Sequence, residues 1–118
     1  MYGLPKTFDV SFLIGREVES VVFGQYQANL NFSDRIWIQI EGPFKHFHRN
    51  ELIENVDNFP ISQSTLMRTL GQRVLAVNFS VNGDFEIQLS EGSKLAIGGD
   101  NGPYESYRLY DGTKETIV

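Results

Sequence analysis

The chain of 118 residues has no cysteine. This excludes disulfides, thiolate metal centres and cysteine nucleophiles together, and it agrees with a reducing compartment, so the cytoplasm is the expected location. No apolar run approaches the ~18 residues that span a bilayer. The opening Met1-Tyr2-Gly3-Leu4-Pro5-Lys6 also lacks the basic-then-apolar order of a secretory leader. Neither secretion nor membrane insertion is expected. Basic residues are few: ten Lys and Arg stand against fifteen Asp and Glu, a formal net charge of −5. That balance repels phosphate backbones and disfavours direct nucleic-acid binding. The sequence contains no Gly-x-Ser-x-Gly, no metalloprotease motif and no phosphate-cradling loop followed by a helix and a lysine. The glycine-rich run Gly98-Gly99-Asp100-Asn101-Gly102-Pro103 therefore reads as a plain loop. No catalytic residue and no cofactor is assigned, and an enzyme is not expected.

What is present is an ordinary globular fraction of apolar residues, 41% before glycine is counted, in a length that fits a single domain over 1–118. The chain repeats itself, over about residues 13–41 and 69–99. A shift of 56 positions lays Gly15 on Gly71, Val18 on Val74, Val21 on Val77 and Phe23 on Phe79. A shift of 57 lays Leu30 and Phe32 on Ile87 and Leu89, and one of 59 lays Ile36 and Ile38 on Leu95 and Ile97. Within each copy, apolar and polar residues alternate at the period of a half-buried strand. The step from Val18 to Val21, and from Val74 to Val77, breaks that parity twice at the same place, which predicts a β-bulge. Asn82-Gly83 predicts a two-residue hairpin turn. Ser62 to Leu70 is the one candidate helix, with Ser62 as N-cap and Gly71 as stop, and Arg49–Phe59 reads as a polar connection between the halves. Tyr104–Tyr110 adds a strand, and Thr116-Ile117-Val118 another. The expected fold is mainly β: an antiparallel, strongly curved half-barrel or two-layer sandwich of seven to nine strands, built from a duplicated three-strand unit with one short helix.

Two constellations invite a chemical reading. His46 and His48 are the only histidines, and a two-residue spacing on a strand sets both on one face, as a metal site or general base requires. Glu41 or Glu51 would complete such a site only if the chain folds back, and Lys45 and Arg49 oppose a dication, so solvent-facing histidines are the plainer alternative. The second constellation is acidic. From residue 82 onward seven acids face Lys94, Arg108 and Lys114. They either keep sheet edges soluble or form a surface for a basic partner. Exposed aromatics among acids suit the latter, because rings anchor interfaces at low entropic cost. The candidate contacts are Trp37, Asp84, Glu86, Glu91, Asp100, Tyr104, Glu105, Tyr107 and Asp111.

The order Leu-x-Gly-x-x-Val-x-x-Val, Leu-x-Phe, Ile-x-Ile-Glu41-Gly42-Pro43-Phe44, a second Leu-Gly-x-x-Val, a hairpin, Lys94-Leu95-Ala96-Ile97 and Tyr104-Glu105-Ser106-Tyr107 resembles a family of small bacterial β domains. The resemblance covers about residues 13–111. Some members look like immunity proteins made beside secreted or contact-delivered toxins, as in contact-dependent growth inhibition. It implies a non-catalytic inhibitor that occludes the active site of a cognate toxin, and the acidity fits a basic nuclease domain. The alternative is a small-molecule or metal-binding barrel of cupin-like or lipocalin-like type, with His46, His48 and Glu41 as its groups. Homodimerisation through strand edges stays open.

Overall fold

The computed structural model describes residues 9–79, 84–98 and 107–117. Period-two alternation orders the strands as expected. Among the described residues ten strands form: β1 Val18–Phe23, β2 Ala28–Phe32, β3 Trp37–Ile40, β4 Phe44–His48, β5 Glu51–Val56, β6 Val74–Phe79, β7 Phe85–Leu89, β8 Ser93–Ile97, β9 Tyr107–Tyr110 and β10 Glu115–Ile117. In β2, β7 and β8 every first, third and fifth residue is buried. The strands pair into two five-stranded antiparallel sheets, β1-β2-β3-β9-β10 and β5-β4-β8-β7-β6. This is a two-layer β-sandwich. Its core is one cluster drawn from both inner faces, including Leu30, Ile38, Ile40, Phe44, Ile87, Leu95, Ile97 and Leu109. Among the described residues no helix is long and apolar enough to cross a membrane.

The duplication is visible in the hydrogen bonds. Gly15 N–H donates to Val74 O and Gly71 N–H to Val18 O, while Val18 N–H donates to Gln72 O and Val74 N–H to Arg16 O. Such reciprocal bonds are what an approximate twofold axis between the copies requires. Gly15 and Gly71 have φ of +83° and +82°, the left-handed region that glycine enters without steric cost. The parity break is a bulge in both copies, with the register slipping between Val18 and Ser20 and between Val74 and Ala76. Glu17 N–H donates to Ser33 Oγ, and Arg73 N–H donates to Ser90 Oγ in the same way.

The register corrects the third-strand alignment. Leu30 pairs with Ile38 and Ile87 with Leu95, so Ile38 corresponds to Leu95 and Ile40 to Ile97, a shift of 57 rather than 59. The duplication also runs further than three strands. β4 follows β3 but pairs with β8, and β9 follows β8 but pairs with β3. Each half gives its last two strands to the sheet of the other half. The fold is therefore two five-stranded units with exchanged hairpins.

Three local expectations need correction. Glu51–Val56 is a strand, not irregular connection; Arg49 and Asn50 at φ +50° and +67° turn the chain tightly from β4 into β5. The strand lies at a sheet edge, where polar residues are tolerated on both sides. The candidate helix is only the 3₁₀ turn Leu66–Thr69. Ser64 Oγ and the Thr65 N–H and hydroxyl all donate to Glu54 Oε1, so these groups serve β5 instead of capping a helix. With β5 included, the strands among the described residues number ten where seven to nine were expected. The Asn82-Gly83 turn falls outside the described residues.

Candidate partner-binding groove

Register fixes one row of residues across the outer face of the second sheet: Asn55, Lys45, Ala96, Glu86 and Asn78, one from each strand. Toward the strand ends lie Asp57, Pro43, Gly98, Asp84 and the half-buried Phe79. Together these residues line a groove of about 540 Å³. Among the described residues its walls carry three carboxylates, Asp57, Asp84 and Glu86, and the ammonium of Lys45. Glu86 Oε2 also stands 3.9 Å from Lys94 Nζ, and that ammonium sits 4.7 Å from the centre of the Phe47 ring. Beneath the groove Phe85 packs on Tyr107 with ring centres 5.3 Å apart. Burial, reinforced by the charge of Asp84, pushes the Tyr107 phenol pKa up.

The twofold relation to the first sheet shows what leaves this volume open. The matching row there is Ile117, Arg108, Gln39, Asn29 and Val22. Gln39 and Glu41 occupy the positions of Ala96 and Gly98. Arg108, at the position of Lys45, is held by Glu41 at 3.0 Å and Glu115 at 3.1 Å, and the Glu41 and Glu115 bonds keep its pKa up. On the second sheet the two small residues leave that volume open.

The halves also differ inside. At the corrected register, Leu13, Ile36 and Leu109 correspond to Thr69, Ser93 and His46 respectively, and all six are buried. Thr69 Oγ1 donates to Leu66 O. The His46 bonds form a directed chain. Thr65 spends its only hydroxyl proton on Glu54 Oε1, so its oxygen accepts from His46 Nδ1–H at 2.7 Å. His46 Nε2 then accepts from the Ser93 hydroxyl at 3.2 Å, and Ser93 Oγ accepts from Gln72 Nε2 at 3.1 Å. The ring is thereby fixed as the neutral Nδ1–H tautomer. Burial holds its pKa below the ordinary histidine value, against the pull of Glu54 and with the help of His48 and Arg68.

The residues singled out from sequence do not share one surface. Asp84 and Glu86 meet in the groove, but Glu91 lies beyond the other end of β7, where its N–H donates to Gln72 Oε1. Trp37 lies on the opposite sheet, half-buried and stacked on Tyr110 with centres 5.5 Å apart and planes 13° apart. Tyr107 is fully buried and forms core, not surface: the parity of β9 turns it inward with Leu109. Asp111 accepts from Thr113 N, Thr113 Oγ1 and Lys114 N in the turn before β10. These bonds, that of Lys114 first, hold its pKa down, which makes it a turn former. Asp100, Tyr104 and Glu105 fall outside the described residues. Of the metal candidates, His46 has both nitrogens engaged, Glu41 is bound to Arg108 on the other sheet, and Glu51 is paired with His48 in register and exposed. Among the described residues no three His, Asp or Glu side chains are grouped to hold a metal. Lys45, Asp57 and Phe79, and the network of half-buried Glu54 and Thr65 with buried Gln72 and Ser93, carry no signal that the sequence alone offers; comparing the halves at the corrected register exposes Ser93 and Lys45. No family model, curated protein or solved structure matches the chain.

Proposed function

We propose that the protein is a non-catalytic inhibitor of the immunity type, which binds a basic partner protein, such as a nuclease toxin made beside it, and covers the partner's active site. The observation that carries this reading is the groove walled by Asp57, Asp84 and Glu86 on an outer sheet face. A cationic segment entering it would meet three carboxylates over a partly apolar floor. Long-range attraction between an acidic inhibitor and a basic toxin raises the association rate toward ~10⁸ M⁻¹s⁻¹ and disfavours wrong partners. Exposed charge pairs contribute about 0–1 kcal/mol each, so tight binding needs the groove, where desolvation strengthens them. An outer-face site also suits a protein ligand better than the small molecule of the barrel alternative, since the inner faces are packed on each other.

The test is co-expression with the polypeptides encoded beside it. A stable one-to-one complex with a basic polypeptide is expected, relieving its toxicity and dissociating at high salt. The variant Asp57→Lys/Asp84→Lys/Glu86→Lys should lose both complex and protection while staying folded, because surface changes usually move stability by under ~0.5 kcal/mol. Full protection by the folded variant would remove the groove from the mechanism.

A further inference from the structure

The two halves of the molecule act as controls for each other. On the first sheet the outward cation Arg108 sits between two carboxylates, Glu41 and Glu115. Its counterpart Lys45 has Gly98 where Glu41 stands. It has Leu52 where Glu115 stands, since Leu52 pairs with Phe47 as Glu115 pairs with Tyr110. Both internal counter-charges have been replaced by uncharged residues, and among the described residues Lys45 makes no ion pair. The position vacated by the Glu41 side chain is part of the groove itself.

We infer that the groove takes a polypeptide segment bearing charges of both signs: a cationic side chain against Asp84 and Glu86, and a carboxylate that occupies beside Lys45 the place Glu41 holds beside Arg108. This rests on the proposed role of the groove and goes further by naming the ligand's charge order. Lys45 and Glu86 flank Ala96 on strands two apart, about 10 Å between Cα atoms at the usual strand spacing. A segment in the polyproline II conformation advances about 3.1 Å per residue and returns to the same face every third residue, so the two ligand charges belong at positions i and i+3. Lys45 thus serves as a specificity determinant, rejecting segments that are purely basic at that spacing by like-charge repulsion.

Three capped octapeptides on a Gly/Ser scaffold test this by NMR titration of the full chain: one with Arg and Glu at i and i+3, one with Glu replaced by Gln, and one with Arg replaced by Gln. The mixed-charge peptide should bind at least fivefold more tightly than either control and shift resonances of Lys45, Ala96 and Glu86. Lys45→Gln should abolish its advantage over the Arg-only peptide, and Lys45→Glu should reverse it. Ala96→Gln/Gly98→Glu, which copies the first sheet, should remove binding of all three. Gly98 lacks a left-handed φ, and a Cβ there comes no closer than 3.9 Å to Pro43 O, so the substitution is sterically open. Equal binding of the mixed and Arg-only peptides, lost in Asp84→Asn/Glu86→Gln, would overturn the role of Lys45 while leaving the basic-partner reading intact. Failure of every peptide to perturb the groove at millimolar concentration would overturn both.

Discussion

Removing His46 alone should cost more than removing His46 and Ser93 together. His46→Leu keeps an apolar side chain of similar size but deletes two hydrogen bonds, each contributing about 0.5–1.5 kcal/mol net. It also strands the Ser93 hydroxyl, which is 2% exposed, at about 1–3 kcal/mol for a buried unsatisfied donor. The single variant should therefore lose about 2–6 kcal/mol. Adding Ser93→Ala removes the stranded group, and Gln72 Nε2 keeps its second acceptor, Arg68 O at 2.9 Å. The double variant should return to within about 1 kcal/mol of the parent, because deleting both partners of a buried bond is close to neutral. Urea unfolding at pH 7.5 with unchanged m-values measures this, and the coupling should exceed 1 kcal/mol. The pH dependence provides a second reading. Because the folded-state pKa of His46 is lowered, the unfolded chain takes up the proton first. Stability from this residue is complete above about pH 6.5 and declines below it, by at most about 1.4 kcal/mol per pH unit. Both variants should be flatter between pH 6.5 and 5. Strictly additive losses, or an unchanged pH slope, would refute the directed hydrogen-bond chain.

At the alkaline end, Tyr107 should set the limit: its raised folded-state pKa means that the unfolded chain ionises first, so stability falls as pH rises beyond about 10. Tyr107→Phe should flatten that limb in a pH-dependent melting series, and an unaltered limb would assign it elsewhere. Gly15→Ala and Gly71→Ala should each cost about 1 kcal/mol through the positive φ, since an added Cβ meets nothing within 4 Å at either site. Chemical denaturation should place the two costs within about 0.5 kcal/mol of each other, and a clear inequality would contradict equivalent roles at the twofold axis.

Most of the sandwich was legible because its signals are local. Alternation in Ala28–Phe32 and Phe85–Leu89 needs only the residues themselves, and the three-residue step after Val18 and Val74 announced its bulge twice. The exchange of β4-β5 and β9-β10 was not legible: Phe44–His48 and Tyr107–Tyr110 share almost no residues, and only pairing with β8 and β3 reveals them as counterparts. The candidate site suffered from the same gap. Composition drew attention to Asp84 and Glu86, which share the groove, but treating the last third of the chain as one surface joined residues that two sheets hold apart. Tyr107 shows the cost of counting aromatics without parity, since it is two residues before the buried Leu109 on a strand that turns both inward.

Differences between the halves carry more functional information than their similarities. Where both copies keep the same group, as with the two serines that accept Glu17 N–H and Arg73 N–H, the fold alone accounts for it. Where one copy keeps Gln39, Glu41 and Glu115 around a cation and the other has Ala96, Gly98 and Leu52, folding cannot be the reason, because the first arrangement already shows that the sheet accepts the fuller set. The same holds for Leu13, Ile36 and Leu109 against Thr69, Ser93 and His46, an exchange of simple apolar packing for a network that must be satisfied in full. That network ties β4, β5 and β8 together through Glu54, Thr65, His46 and Ser93. These are three of the five strands that form the groove, so the half with the open outer face also has the more directional core beneath it. A groove that must hold Lys45 and Glu86 two strands apart gains from that rigidity.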